Sequence, residues 1–111
     1  MTVPIRFPGS QKSGIKKDDG KPRYSLIPPK PLEDIAEVFT FGAKKYADKN
    51  YLLIEDESRI IDALMRHTDA LRRGEYIDKE SGKPHTAHIS CNAMMLQERR
   101  EYMESLNDST D

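Results

Sequence analysis

Apolar residues recur at a helical period in three stretches of this chain, and no stretch alternates clearly as a half-buried strand would. In the first, Leu32, Ile35, Ala36, Phe39, Gly42, Ala43 and Tyr46 keep that period and predict a helix over 32–47. Pro31 supplies its start. Glu33, Asp34 and Glu37 put negative charge toward its N-terminal end, and Lys44 and Lys45 put positive charge in its last turn, as the helix dipole favours. Gly42 inside this helix costs about 1 kcal/mol relative to alanine, which suits close approach of another backbone or of a ligand. In the second stretch, Ser58 is expected to cap a helix over 59–73. Its inward stripe is Ile60, Leu64, His67 and Leu71, and Asp62, Asp69 and Arg73 are expected on a solvated charged face. The third helix is expected from about Pro84 to Met103 or Leu106, with Ala87, Cys91, Met94, Met95, Ile89 and Leu96 on its apolar side.

The remaining chain reads differently. Residues 1–31 hold six of the seven prolines and three of the six glycines, so they cannot form one continuous helix. Residues 1–13 are expected to be flexible. From residue 14 the anchors Ile15, Tyr24, Leu26 and Ile27 predict an ordered arm lying over the helices. Lys16, Lys17, Lys21 and Arg23 make that arm basic, either for solvation or for phosphate contact. The expectation is therefore a mainly α fold: a small bundle of about three core helices with an extended N-terminal arm. It forms a single helical domain over 14–106, followed by an acidic tail at 107–111.

Composition narrows the function. At 111 residues the chain is one domain with a modest core, and association into a homo-oligomer is expected to complete it. A net charge of −1, from 18 basic and 19 acidic residues, gives no general attraction for nucleic-acid polymers or anionic membranes. The single Cys91 rules out an internal disulfide and suits a reducing cytoplasm. No apolar run has the length of a membrane span or the form of a signal peptide.

Chemistry concentrates between Gly74 and Asn92. Glu75, Asp78, Glu80, His85, His88 and Asn92 fall within nineteen residues. His85, His88 and Asn92 share one face of the third helix, at i, i+3 and i+7. With His67 on the second helix, all three histidines of the chain are expected to be neighbours. The carboxylates suit Mg²⁺, whereas the imidazoles suit Mn²⁺ or Zn²⁺, or direct contact with phosphate or base. No Walker loop, CxxC pair or glycine-rich dinucleotide fingerprint is present, so phosphate charge would fall to scattered cations: Lys45, Arg59, Arg66, Lys17, Lys21 and Arg23.

Two runs, KDDGKPRYSLIPPKPLEDIAEVFTFGAKKYADKN and RIIDALMRHTDALRRGEYIDKESGKPHTAHISCN, carry a resemblance through the spacing of FGAKKY, RH, GExxD, ESG, HxxH and the following Asn. Over about residues 14 to 98 the chain resembles the N-terminal domain of phage dATP/dGTP diphosphohydrolases, the MazZ-like proteins. These are similar in turn to the MazG-like all-α pyrophosphohydrolases, which bind Mg²⁺ through ExxE and ExxD pairs. The resemblance implies a mainly helical phage protein in the cytoplasm of the infected bacterial host. It implies cleavage of a purine deoxynucleoside triphosphate to monophosphate and pyrophosphate with Mg²⁺ or Mn²⁺.

On that reading Glu75, Asp78, Glu80 and Glu37 hold metal. The catalytic set is Glu75, Asp78, His67 and His88, each histidine serving as ligand, phosphate contact or general base. Lys21, Arg23, Lys45, Tyr46, Asn50, Tyr51, Arg59, Arg66, His85 and Asn92 contact the substrate. Two departures from the MazG-like pattern stand out: Glu33 and Glu37 are four apart, and His85-x-x-His88 stands where ExxD is expected. They keep open an alternative, a non-catalytic nucleotide-binding protein that sequesters a nucleotide immune signal.

Overall fold

The computed structural model describes residues 14–108. The expected flexible segment at 1–13 lies outside them. Three helices carry the structure: α1 spans Pro29–Lys45, α2 spans Ser58–Arg72 and α3 spans His85–Asp108. Short 3-10 turns at Tyr24–Leu26 and Asn50–Leu52 precede and follow α1. The described residues contain no sheet, only an isolated antiparallel bridge between Ile77 and Pro84. The chain is therefore a mainly α small bundle, as the apolar periods require.

The helix ends show which local signals decide. α1 begins at Pro29, three residues earlier than its apolar stripe, because Pro29 and Pro31 sit in a first turn whose N–H groups would have no intrahelical partner. Ser58 does not cap α2. It is the first helical residue, and the Asp56 carboxylate accepts its backbone N–H at 3.0 Å. α2 ends in a glycine stop: Gly74 has φ of 95°, and Glu75 N–H reaches back to the Ala70 carbonyl at 3.0 Å. α3 runs to Asp108, beyond the end read from its apolar face.

α3 packs against both α1 and α2. The buried cluster is Val38, Ala87 and Cys91, with Ile35, Phe39 and Met95 packed against it, and Ile60 is buried on α2. Small Ala87 and Cys91 at the centre let the helices approach closely. Burial pushes the Cys91 thiol up to about 12, so it behaves as a core residue. Two expectations are corrected. The buried face of α1 is turned toward Asp34 and Val38, leaving Leu32, Ala36 and Tyr46 exposed, and Met94 of α3 is also exposed. The arm does not lie over the helices: Ile15, Tyr24 and Leu26 are exposed, as is every described residue up to Leu32.

Candidate functional site

A tight hairpin links α2 to α3 and assembles a cluster of imidazoles and carboxylates. Asp78 N–H donates to the Lys83 carbonyl at 2.8 Å, and His85 N–H to the Tyr76 carbonyl at 2.7 Å. Gly82 takes the left-handed conformation needed to close the turn, with φ of 73°. Pro84 then leads into α3, where its carbonyl accepts from Ala87 N–H. This geometry aims Asp78 and Ser81 of the hairpin, and His85 and His88 from the start of α3, toward His67 of α2. Glu75, just past the glycine stop, closes the ring.

Nδ1 of His67 and Nδ1 of His85 are 2.8 Å apart. His85 Nε2 faces Glu75 Oε2 at 3.3 Å. The His67 and His88 rings stack, with centroids 4.3 Å apart. Ser81 stands at the hub: its backbone N–H and its hydroxyl both donate to Asp78 Oδ2, at 2.9 and 2.8 Å. With its own proton committed, Ser81 Oγ accepts from His88 Nε2–H at 2.6 Å. Asp78 Oδ2 is also 3.4 Å from His88 Nε2. His85 and His88 are only 4% and 8% exposed, whereas His67, Glu75, Asp78 and Ser81 are partly exposed.

Burial, and then the neighbouring His88, hold the His67 pKa below the ordinary imidazole value. Burial also lowers that of His88, against the opposing pull of Asp78. Burial pushes the Asp78 carboxyl up, but the two Ser81 hydrogen bonds and the nearby histidines outweigh it and leave Asp78 below its usual range. At neutral pH the cluster thus presents an ionised carboxylate beside neutral imidazoles. His67, Asp78 and His85 each offer a ligand atom, and those atoms all lie within 4.8 Å of one another.

The four residues read as catalytic, Glu75, Asp78, His67 and His88, come together as expected. Two of the four residues read as metal ligands do not join them. Glu80 pairs with Lys45 at 2.8 Å, and Glu37 pairs with Lys83. Long flexible carboxylates take the nearest cation, and the packing of the hairpin against α1 supplies one to each.

A cleft of about 710 Å³ lies between α1 and α2, floored by α3. Tyr46, Asn50, Tyr51, Arg59, Arg66 and Asn92, all expected to contact substrate, line it. His85 belongs instead to the cluster. Lys45 is held on Glu80, and Lys21 and Arg23 lie in the exposed arm. No side chain of the cluster lines the cleft, but the two are neighbours along the helices: Asn92 is one turn beyond His88 on α3, and Ala63 is one turn before His67 on α2.

Sequence reading missed Ser81 as a site residue, although Asp78-x-x-Ser81 before a glycine is a side-chain-to-backbone turn signature. It also missed Arg99, which is 5% exposed and donates to the Glu55 carbonyl at 3.2 Å, tying α3 to the loop after Tyr51. Nothing in the sequence near Arg99 names a partner 44 residues away.

Fold and site define a small, mainly α domain with a cation-bearing cleft one helical turn from a histidine–carboxylate cluster. The chain belongs to the family described as dATP/dGTP diphosphohydrolase, N-terminal, which matches residues 11–109. It is similar to the dATP/dGTP diphosphohydrolase of Salmonella phage PMBT28, with 37% identity over 84 residues. That alignment covers 76% of this chain and 29% of the phage protein, so the chain spans less than a third of its curated relative. No solved structure matches it. Among the described residues no helix is long and apolar enough to cross a membrane.

Proposed function

We propose that this domain binds a purine deoxynucleoside triphosphate in the cleft between α1 and α2 and hydrolyses it to the monophosphate and pyrophosphate. The observation that carries the reading is the nearness of the cleft to the histidine–carboxylate cluster: Ala63 of the cleft lies one helical turn before His67 on α2, and Asn92 one turn beyond His88 on α3. A cleft of about 710 Å³ is in the range that encloses a small ligand. Its walls divide by chemistry. Arg59 and Arg66 of α2 answer phosphate charge, and Arg66 has no ion-pair partner among the described residues, whereas Lys49 is held on Glu98 at 3.2 Å. Tyr46 and Tyr51 offer ring faces for a base. Asn50, Asp62 and Asn92 offer polar edges for its amino and carbonyl groups. Gly42 also lines the cleft, and a Cβ there would meet nothing within 4 Å. No neighbour in the chain therefore demands a glycine at this position, which favours the ligand as its reason.

The reaction as proposed uses a divalent cation. The cluster fits one: Asp78 is ionised, His67 is neutral, and with His85 they converge from three elements. When bound, the ion supplies Lewis-acid polarisation and charge neutralisation at the phosphates. The chain's own residues orient the substrate beside it. Neutral His88 donates Nε2–H to Ser81, which leaves its Nδ1 as the nitrogen to take a proton from the attacking water. Arg59 and Arg66 offset charge on the departing pyrophosphate.

The test is incubation of the pure protein with a panel of deoxy- and ribonucleotides plus Mg²⁺ or Mn²⁺, with products read by chromatography. Monophosphate and pyrophosphate from a purine deoxynucleotide are expected. A nucleotide retained by the protein and recovered intact on denaturation would replace hydrolysis with sequestration.

A further inference from the structure

The nitrogen content of the cluster decides which ion it prefers. At 2.8 Å, the two Nδ1 atoms of His67 and His85 cannot both present bare lone pairs to each other. Something positive must lie between them, either a proton on one ring or a metal ion bonded to both. Glu75 Oε2 faces the opposite nitrogen of His85 at 3.3 Å. A carboxylate in that position keeps the His85 proton on Nε2 and leaves Nδ1 as a lone pair. The proton between the rings therefore belongs to His67 Nδ1. A cation that displaces it meets two nitrogen donors, with the Asp78 carboxylate alongside.

The spacing agrees with that exchange. With metal–nitrogen bonds of about 2.0–2.1 Å, two adjacent nitrogens on one ion lie about 3 Å apart. The imidazole pair is already near this separation. Asp78 is close enough to join them, since one ligand atom from each of His67, Asp78 and His85 lies within 4.8 Å of the others. Mg²⁺ demands oxygen ligands and dehydrates reluctantly, whereas imidazole suits the later first-row ions. The other carboxylates that would make an oxygen-rich site, Glu37 and Glu80, are held on Lys83 and Lys45.

We propose that His67, Asp78 and His85 bind one borderline transition-metal ion of the Mn²⁺, Co²⁺ and Zn²⁺ class in preference to Mg²⁺, with Glu75 positioning His85 from outside the coordination shell. As the ion of the hydrolytic reaction it rests on the function proposed above, but the metal site stands on this geometry alone. Ser81, which donates twice to Asp78, is the outer partner of the carboxylate in the same way.

The experiment uses the full chain, freed of any purification tag and stripped of metal by a chelator. Co²⁺ is titrated in and followed by its visible d–d absorption, and the bound ion is then challenged with Zn²⁺, Mn²⁺ and Mg²⁺. One Co²⁺ per chain is expected, with a spectrum of mixed nitrogen and oxygen ligation that Zn²⁺ abolishes and Mg²⁺ leaves intact. His85→Ala should weaken Co²⁺ binding at least about 100-fold. Glu75→Gln should weaken it by about 10- to 100-fold without changing the spectrum.

Circular dichroism identifies any variant that fails to fold, and the wild-type competition decides the question without variants. Displacement of Co²⁺ by an equal concentration of Mg²⁺, or absence of the absorption bands, overturns the proposal. Unchanged affinity in Glu75→Gln overturns the role given to Glu75. A chain that binds Co²⁺ in this manner yet returns every nucleotide intact sinks the hydrolytic reading and leaves the metal site standing. Hydrolysis with Mg²⁺ and no Co²⁺ spectrum does the reverse.

Discussion

Ser81→Ala removes one oxygen atom from the centre of the cluster, and its cost follows from the bonds that atom makes. The hydroxyl donates to ionised Asp78 at 2.8 Å, a charge-assisted bond of about 1.5–3 kcal/mol. It accepts from His88 Nε2–H at 2.6 Å, a bond between neutral groups of about 1 kcal/mol, and more weakly from Lys83 N–H at 3.2 Å, a donor at a half-buried position that water can satisfy in alanine. The backbone bond from Ser81 N–H to Asp78 survives in alanine. His88 is 8% exposed, so its Nε2–H cannot turn freely to water. It can turn to Asp78 Oδ2, already 3.4 Å away, and recover part of the loss. The expected net cost is about 2–3 kcal/mol. At about 2.1 cal/mol/K of unfolding entropy per residue, that lowers Tm by about 10 °C. Urea unfolding and thermal melts of the metal-free chain measure it, with Ser81→Thr as the variant that keeps the hydroxyl. A loss under about 0.5 kcal/mol in Ser81→Ala would show that Ser81 does not hold the cluster together.

Three further outcomes are expected. Because the pKa values of His67 and His88 are lowered on folding, the unfolded chain takes up their protons first as pH falls. Stability is full above the ordinary imidazole value of about 6.5 and declines below it, by at most about 2.7 kcal/mol per pH unit for two protons. Asp78, shifted down, adds its own loss only in the carboxylate range. Equal urea midpoints at pH 7.5 and 5.5 would contradict this. Arg99→Ala should cost about 3 kcal/mol and speed hydrogen exchange across 52–55, because the Glu55 carbonyl loses its buried donor; unchanged exchange in that loop would refute the tether. Gly42→Ala should raise stability by about 1 kcal/mol, since the new methyl meets nothing in the chain, yet weaken nucleotide retention in equilibrium dialysis by narrowing the cleft. A stabilised variant that retains nucleotide fully would separate Gly42 from the ligand.

What the sequence determined by itself was local. Apolar periods placed three helices, prolines at 29, 31 and 84 set where helices begin, and glycines at 74 and 82 shaped the hairpin. The meeting of His67 with His85 and His88 was also legible, because a short connection between two helices brings the end of one beside the start of the next. These features depend on residues within a few turns of one another, and spacing encodes them directly. Tertiary packing alone decided the rest. It turned α1 onto Asp34 and Val38, and it sent Glu37 to Lys83 and Glu80 to Lys45. It also buried Arg99 against a carbonyl 44 residues away. α1 turns on the helix face that meets α3, and for the charged groups the reason is shared: a flexible charged side chain pairs with whatever group the packed elements bring within reach, and sequence spacing does not carry that distance.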